Sequence, residues 1–160
     1  MSVSNLSLLL PTICFNLQLS TFNLNPKIII GGKHEDARGT LRFCNDFDMS
    51  AVKRFYTISN SAEEPRRGWI MHKRETKWFF PVTGVTEVKV RGDGEQWKHC
   101  SSYVLSASEP SVLQVPPGHW FLIEQPDNQT IPPSEVMVFS NCRVGEFPND
   151  DFRKDLHEEA

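Results

Sequence analysis

The sequence predicts an all-β protein folded as an antiparallel jelly-roll barrel. Three observations carry that expectation. Turn residues recur about every 8–12 positions, the spacing of short strands in a sandwich or barrel. The stretches between turns are rich in β-branched and aromatic residues, as in Ile28-Ile29-Ile30 and Trp78-Phe79-Phe80. Only residues 48–51 and 149–159 suggest helix. A jelly roll protects that many strand edges from further pairing.

Residues 1–26 read as an N-terminal extension, either disordered or an added edge strand. Their apolar patch, Leu8-Leu9-Leu10, has no Lys or Arg before it, which disfavours a secretory signal. Residues 27–160 read as one barrel domain. Lys27-Ile28-Ile29-Ile30 is a strand that stops at Gly31-Gly32, and Leu41 to Cys44 is another. Val52 to Ile58 is β-rich and ends at Ser59-Asn60. On the strand around residue 70, Trp69, Met71 and Lys73 point one way and Ile70 and His72 the other. Trp78 to Val82 is too apolar to face water, and Thr83-Gly84 turns the chain after it.

Val85 to Arg91 alternates strictly, with Thr86, Val88 and Val90 on one face and Glu87, Lys89 and Arg91 on the other. Gly92-Asp93-Gly94 is a hairpin signal. Further strands are expected over 96–101, 112–115, 120–124 and 135–141, with a tight turn at Pro116-Pro117-Gly118. Asn149 and the helix formers after it predict a short C-terminal helix.

Composition excludes several classes. A chain of 160 residues with 39% hydrophobic content can bury a core and is not a disordered composition. Its 17 basic and 20 acidic residues leave a net charge of −3, against a nucleic-acid partner, which favours a basic excess. No apolar run approaches the roughly 18 residues of a membrane-spanning helix. Cys14, Cys44, Cys100 and Cys142 form no CxxC pair, so they read as free thiols in a reducing cytoplasm.

Chemistry concentrates in Pro65-Arg66-Arg67-Gly68-Trp69-Ile70-Met71-His72-Lys73. Guanidinium forks hold phosphates, an indole stacks on a ring, and an imidazole moves a proton. Other segments are ambiguous when read alone. Arg38, in Asp36-Ala37-Arg38-Gly39-Thr40-Leu41, suits a solvated turn cation. Lys53-Arg54-Phe55-Tyr56 suits a half-buried strand on which Arg54 and Tyr56 share a face. His72 suits a structural imidazole, and His119, after Pro116-Pro117-Gly118, a turn residue. Lys77, between Thr76 and Trp78, is either buried with a partner or at an edge with its head in water.

In this order, the segments resemble the WxcM-like, dTDP-sugar 3,4-ketoisomerase family of RmlC-like cupins. The likeness runs from about Lys27 to Phe152 and includes a C-terminal echo at Asn149 to Arg153. It implies a cupin-type barrel, a homodimer joined through edge strands, and a nucleotide-sugar ligand. It also implies proton abstraction next to a carbonyl in a dTDP-4-keto-6-deoxyhexose, within cell-surface polysaccharide biosynthesis. His72 would be the base, and Tyr56 would donate a proton or bind a sugar oxygen. Arg38 and Arg67 would hold the diphosphate, with Arg54 and Lys77 also contacting substrate. Trp69 or Trp120 would stack on the base or sugar.

Three positions depart from the family pattern. Ile70 stands where the family has its first His, Phe121 where it has the His after the Trp, and Lys77 where it has a neutral or acidic residue. These departures support an alternative, a nucleotide-sugar-binding cupin or partner protein without turnover. One His with Glu75 nearby is too small a set for a metal cupin, so neither metal nor cofactor is expected.

Overall fold

The computed structural model describes residues 25–61, 63–126 and 133–156. The expected N-terminal extension lies, but for its last two residues, outside them. In chain order the strands are β1 (Lys27–Ile30), β2 (Gly32–Asp36), β3 (Gly39–Phe43), β4 (Arg54–Ser59), β5 (Arg66–His72) and β6 (Lys77–Thr83). They continue as β7 (Val85–Gly92), β8 (Ser101–Ser106), β9 (Ser111–Val115), β10 (His119–Glu124), β11 (Glu135–Ser140) and β12 (Phe152–Arg153). One five-stranded sheet has the order β1-β9-β6-β11-β4, and a second has β12-β5-β10-β7-β8. β2 and β3 form a separate hairpin. The pairings are antiparallel, as the sequence predicts, but the strands form two facing sheets rather than one closed cylinder.

The core lies between the sheets. Phe79, Val88, Val90, Leu105, Leu113, Val115, Phe121, Ile123, Val136 and Val138 fill it, and Tyr56, Ile58 and Ile70 pack against it. Burying each of the larger side chains contributes about 1.5–3 kcal/mol. The alternation in β7 puts Thr86, Val88 and Val90 inside, as expected. Arg91 is the exception to a polar outer face, because it is only 5% exposed. Its Nη1 donates to the Glu95 carbonyl.

A second apolar cluster covers the outer face of the β5–β10 sheet. Trp69, Met71, Trp120 and Leu122 form it, with Cys100, Phe152 and Leu156 against them. The C-terminal segment supplies that cover, and this explains one failed expectation. Residues 149–156 form no helix: Phe152–Arg153 pairs with Met71 and Ile70 as an edge strand. Apolar cover and a free strand edge outweigh weak helix propensity. Likewise, the strand expected over 96–101 is a 3-10 turn at Trp97–His99, and β8 begins only at Ser101. Residues 48–51 make a turn closed by Val52 N–H donating to the Met49 carbonyl at 2.9 Å.

β5 carries a bulge that the sequence pattern does not reveal. Phe121 faces Ile70, but Leu122 faces Gly68, so Trp69 is an extra residue. Gly68 has φ 134°, and a Cβ there would lie 2.7 Å from the Phe121 carbonyl oxygen. Only glycine accepts both the angle and the close approach. Beyond the bulge, Arg66 pairs with Glu124 and Arg67 with Ile123.

Candidate active site

Polar side chains converge at one end of the space between the sheets. β4 contributes Arg54 and Tyr56, half-buried on its inward face. β5 ends at His72, whose side chain is 10% exposed. Glu75 sits in the turn that follows, Lys77 opens β6, and Ser140 closes β11. Register makes this convergence: Ser140 pairs with Arg54 on one side and Lys77 on the other.

Glu75 is the hub. Its Oε1 accepts from Lys77 Nζ at 2.6 Å, from Arg54 Nη2 at 3.0 Å and from Ser140 Oγ. Its Oε2 lies 3.4 Å from His72 Nδ1. Burial raises the Glu75 carboxyl, but hydrogen bonds from Lys77, Ser140 and Arg54 outweigh burial and hold it below the ordinary carboxylate range. Lys77 Nζ also donates to the Tyr56 hydroxyl oxygen at 3.2 Å. The Tyr56 proton is thereby left to point elsewhere. The Arg54 guanidinium carbon lies 5.4 Å from the centre of the Tyr56 ring.

His72 is held from behind. Nδ1 lies 2.5 Å from the Asp150 carbonyl oxygen, which can only accept. Nδ1 therefore carries a proton, and in the neutral ring Nε2 holds the lone pair. His119 pairs directly opposite His72, and its own Nδ1 donates to the Pro117 carbonyl at 3.2 Å. Apolar residues form the inner wall: Ile70 packs on the core, and the Phe121 ring lies 6.2 Å from the His72 ring and 5.3 Å from Phe79. Such a site can take a proton at Nε2, donate from a tyrosine, and place two cations beside a developing oxyanion. Among the described residues no three His, Cys, Asp or Glu side chains converge as metal ligands do.

Of the predicted site residues, the fold gathers His72, Tyr56, Arg54 and Lys77. It does not gather the others. Arg38 lies in the β2–β3 turn, with its side chain 88% exposed and its Nη2 2.6 Å from Asp36. Arg67 is exposed at the other end of β5, beyond Ile70 and the bulge. Trp69 and Trp120 correct the stacking expectation. Their indoles are 1% and 5% exposed and lie in the outer-face cluster, across the sheet from His72.

Glu75, Ser140 and Asp150 are residues that the sequence reading missed as site members. Lys77 signalled the first, since a buried lysine needs a partner. Nothing local signalled the other two.

Comparisons with known proteins bear on the same geometry. The family model described as "WxcM-like, C-terminal" matches residues 24–158. No curated protein matches the chain significantly. Among solved structures, a 3,4-ketoisomerase from Helicobacter canadensis is similar, at 19% identity and TM-score 0.63, over 82% of this chain and 92% of that one. A sugar 3,4-ketoisomerase from Thermoanaerobacterium thermosaccharolyticum in complex with TDP is 18% identical, with TM-score 0.61, over 81% of this chain and 88% of that one. The rmlC epimerase of Mycobacterium tuberculosis is 18% identical, with TM-score 0.62, over 80% of this chain and 68% of that one. These likenesses show that the two-sheet architecture is the fold shared by those ketoisomerases and that epimerase.

Proposed function

This chain belongs to the WxcM-like C-terminal family, and on that premise we propose that it is a sugar-nucleotide isomerase or epimerase. Its substrate is a dTDP-4-keto-6-deoxyhexose and its role lies in cell-surface polysaccharide biosynthesis. One observation carries the reading: His72, with Nδ1 engaged and Nε2 basic, stands in one cluster with the Tyr56–Lys77 pair. The ligand class is supported by the Thermoanaerobacterium thermosaccharolyticum ketoisomerase, solved with TDP and, as a mutant, with TDP-4-keto-6-deoxyglucose.

In the reaction, His72 Nε2 takes the proton from the carbon beside the ketone. The C–H electron pair moves into a C–C double bond, and the carbonyl oxygen becomes an enediolate oxygen. Tyr56 donates to that oxygen, and Lys77 and Arg54 stabilise its charge. For ketoisomerisation, the enediolate oxygen keeps the proton it receives from Tyr56, His72 returns its proton to the former carbonyl carbon, and the neighbouring hydroxyl passes its own proton back to Tyr56 as it becomes the new ketone. For epimerisation, His72 keeps the proton it took and Tyr56 supplies one to the same carbon from the other face, after which both groups re-equilibrate with solvent. Proton transfer of this kind needs no metal or redox cofactor.

Apolar exposure supports a homodimer. Ile30, Leu41, Phe55 and Val104 are each 60% exposed or more. Ile30 and Leu41 lie on β1 and the β2–β3 hairpin, so pairing of two copies through these edges would cover both. Free thiols at Cys44, Cys100 and Cys142 suit a cytoplasmic location. No helix among the described residues is long and apolar enough to cross a membrane.

A second reading has its own observation. Ile70 and Phe121, at the family's His positions, pack as core residues, which suits a cupin that binds without turnover. Incubation with a panel of TDP-4-keto sugars in D2O decides between them. Deuterium incorporation beside the ketone with isomerised product supports the enzyme. Saturable binding with neither overturns it in favour of the binder.

A further inference from the structure

The C-terminal segment reaches the site through Asp150, which is 7% exposed. Its Oδ1 accepts the Lys73 N–H at 2.9 Å and its Oδ2 the Arg74 N–H at 3.1 Å. Its carbonyl oxygen accepts from His72 Nδ1. One residue therefore closes the turn after His72 with its side chain and holds the His72 ring with its backbone. The segment is fixed on both sides of that contact. Asn149 adopts φ 62°, a left-handed conformation asparagine tolerates. Phe152–Arg153 pairs with β5, and Lys154 N–H donates to the Trp69 carbonyl at 3.1 Å.

We propose that Asp150 is a positioning residue for the proton transfer: its carboxylate clamps the 73–74 turn so that its own carbonyl holds His72 as the Nδ1–H tautomer, with Nε2 basic. The inference rests on His72 acting as the base. The tautomer follows from the geometry. A ring nitrogen facing a carbonyl must carry a proton, and in the neutral ring the other nitrogen then has the lone pair. Glu75 Oε2, 3.4 Å from the same Nδ1, is the one charged acceptor among the described contacts of the ring, and Lys77 and Arg54 hold it in place. Asp150 adds the nearer acceptor. Removing its carboxylate frees two backbone amides in the turn and lets the carbonyl drift from the ring.

Misplacing a reacting group by an ångström costs about 10²-fold in rate. Asp150→Ala is therefore expected to lower kcat by about 10- to 100-fold, with KM within about threefold because the ligand contacts are untouched. Asp150→Asn keeps one acceptor oxygen and should fall between Asp150→Ala and the wild type. The separate readout is the His72 tautomer, measured by nitrogen-15 imidazole NMR on the full-length protein. The wild type should show Nδ1–H and Asp150→Ala a mixture. An Nε2–H wild type, or a folded Asp150→Ala with unchanged tautomer and kcat, overturns the proposal. If both variants fail to fold, the wild-type tautomer alone decides. Tautomer loss in a protein that never turned over a substrate would sink the reaction and leave the positioning intact, so the two failures are distinguishable.

Discussion

Glu75 Oε1 and Lys77 Nζ lie 2.6 Å apart in side chains that are 6% and 4% exposed. A lysine at this depth is tolerable only with its partner, and Arg54 and Ser140 complete the carboxylate's shell. Two cations against one carboxylate leave a positive surplus at this end of the space between the sheets. That surplus suits an anionic intermediate.

The pair should behave as a unit. Lys77→Met alone leaves a buried carboxylate short of a donor, and Glu75→Gln alone strands a buried ammonium. Each is expected to cost about 3–5 kcal/mol by urea denaturation. The double variant should recover most of that loss, because it removes both charges together. Additive losses in the double variant would show that the two groups do not share one interaction.

Stability should depend on pH through Glu75. Its folded carboxyl is held below the ordinary value. The contribution is therefore complete above the unfolded carboxyl's value of about 4.3 and is lost as pH falls through the depressed folded one. Melting temperatures of the wild type should drop on acidification below that point more steeply than those of Glu75→Gln. Parallel profiles would remove Glu75 as the source.

His72 should separate turnover from binding. His72→Ala is expected to lower turnover by about 10²–10⁴-fold or more while TDP-sugar affinity stays within about threefold, because a base acts mainly in the transition state. Ile70→His should raise activity only if the wild type is a binder that has lost its second imidazole. Product analysis and calorimetry on the same samples test both.

The arginines should separate by position. Arg54→Ala removes a cation of the cluster and should weaken TDP binding about tenfold or more, from a charge-assisted bond of about 1.5–3 kcal/mol. Arg67→Ala should change it by less than about threefold, since Arg67 lies at the far end of β5. If Arg38 holds the diphosphate, Arg38→Ala should weaken TDP binding about tenfold or more; unchanged affinity by calorimetry would leave it a solvated turn cation. Equal losses for Arg54→Ala and Arg67→Ala would show that the ligand is not confined to the Arg54 end of the sheets.

Much of this was legible in the chain. Period-two alternation identified β7 and its inward face, and parity alone set Ile70 and His72 against Trp69 and Met71. Lys77 stood out because a charge among apolar neighbours demands an explanation. Local pattern suffices there because a strand's geometry relates neighbours to faces without reference to the rest of the fold.

Tertiary structure decided the remainder. The bulge at Gly68 put Arg66 beside Glu124 and Arg67 beside Ile123, since one extra residue offsets the pairing on one side of it by one position. The C-terminal residues became a strand because β5 offered an unpaired edge and an apolar cluster needing cover. Glu75 and Ser140 meet across 65 residues of chain, and His72 and Asp150 across 78. Contacts of that range depend on which strands pair and in what register. No window of sequence around either partner contains that information, because the pairing is set by burial of the whole core.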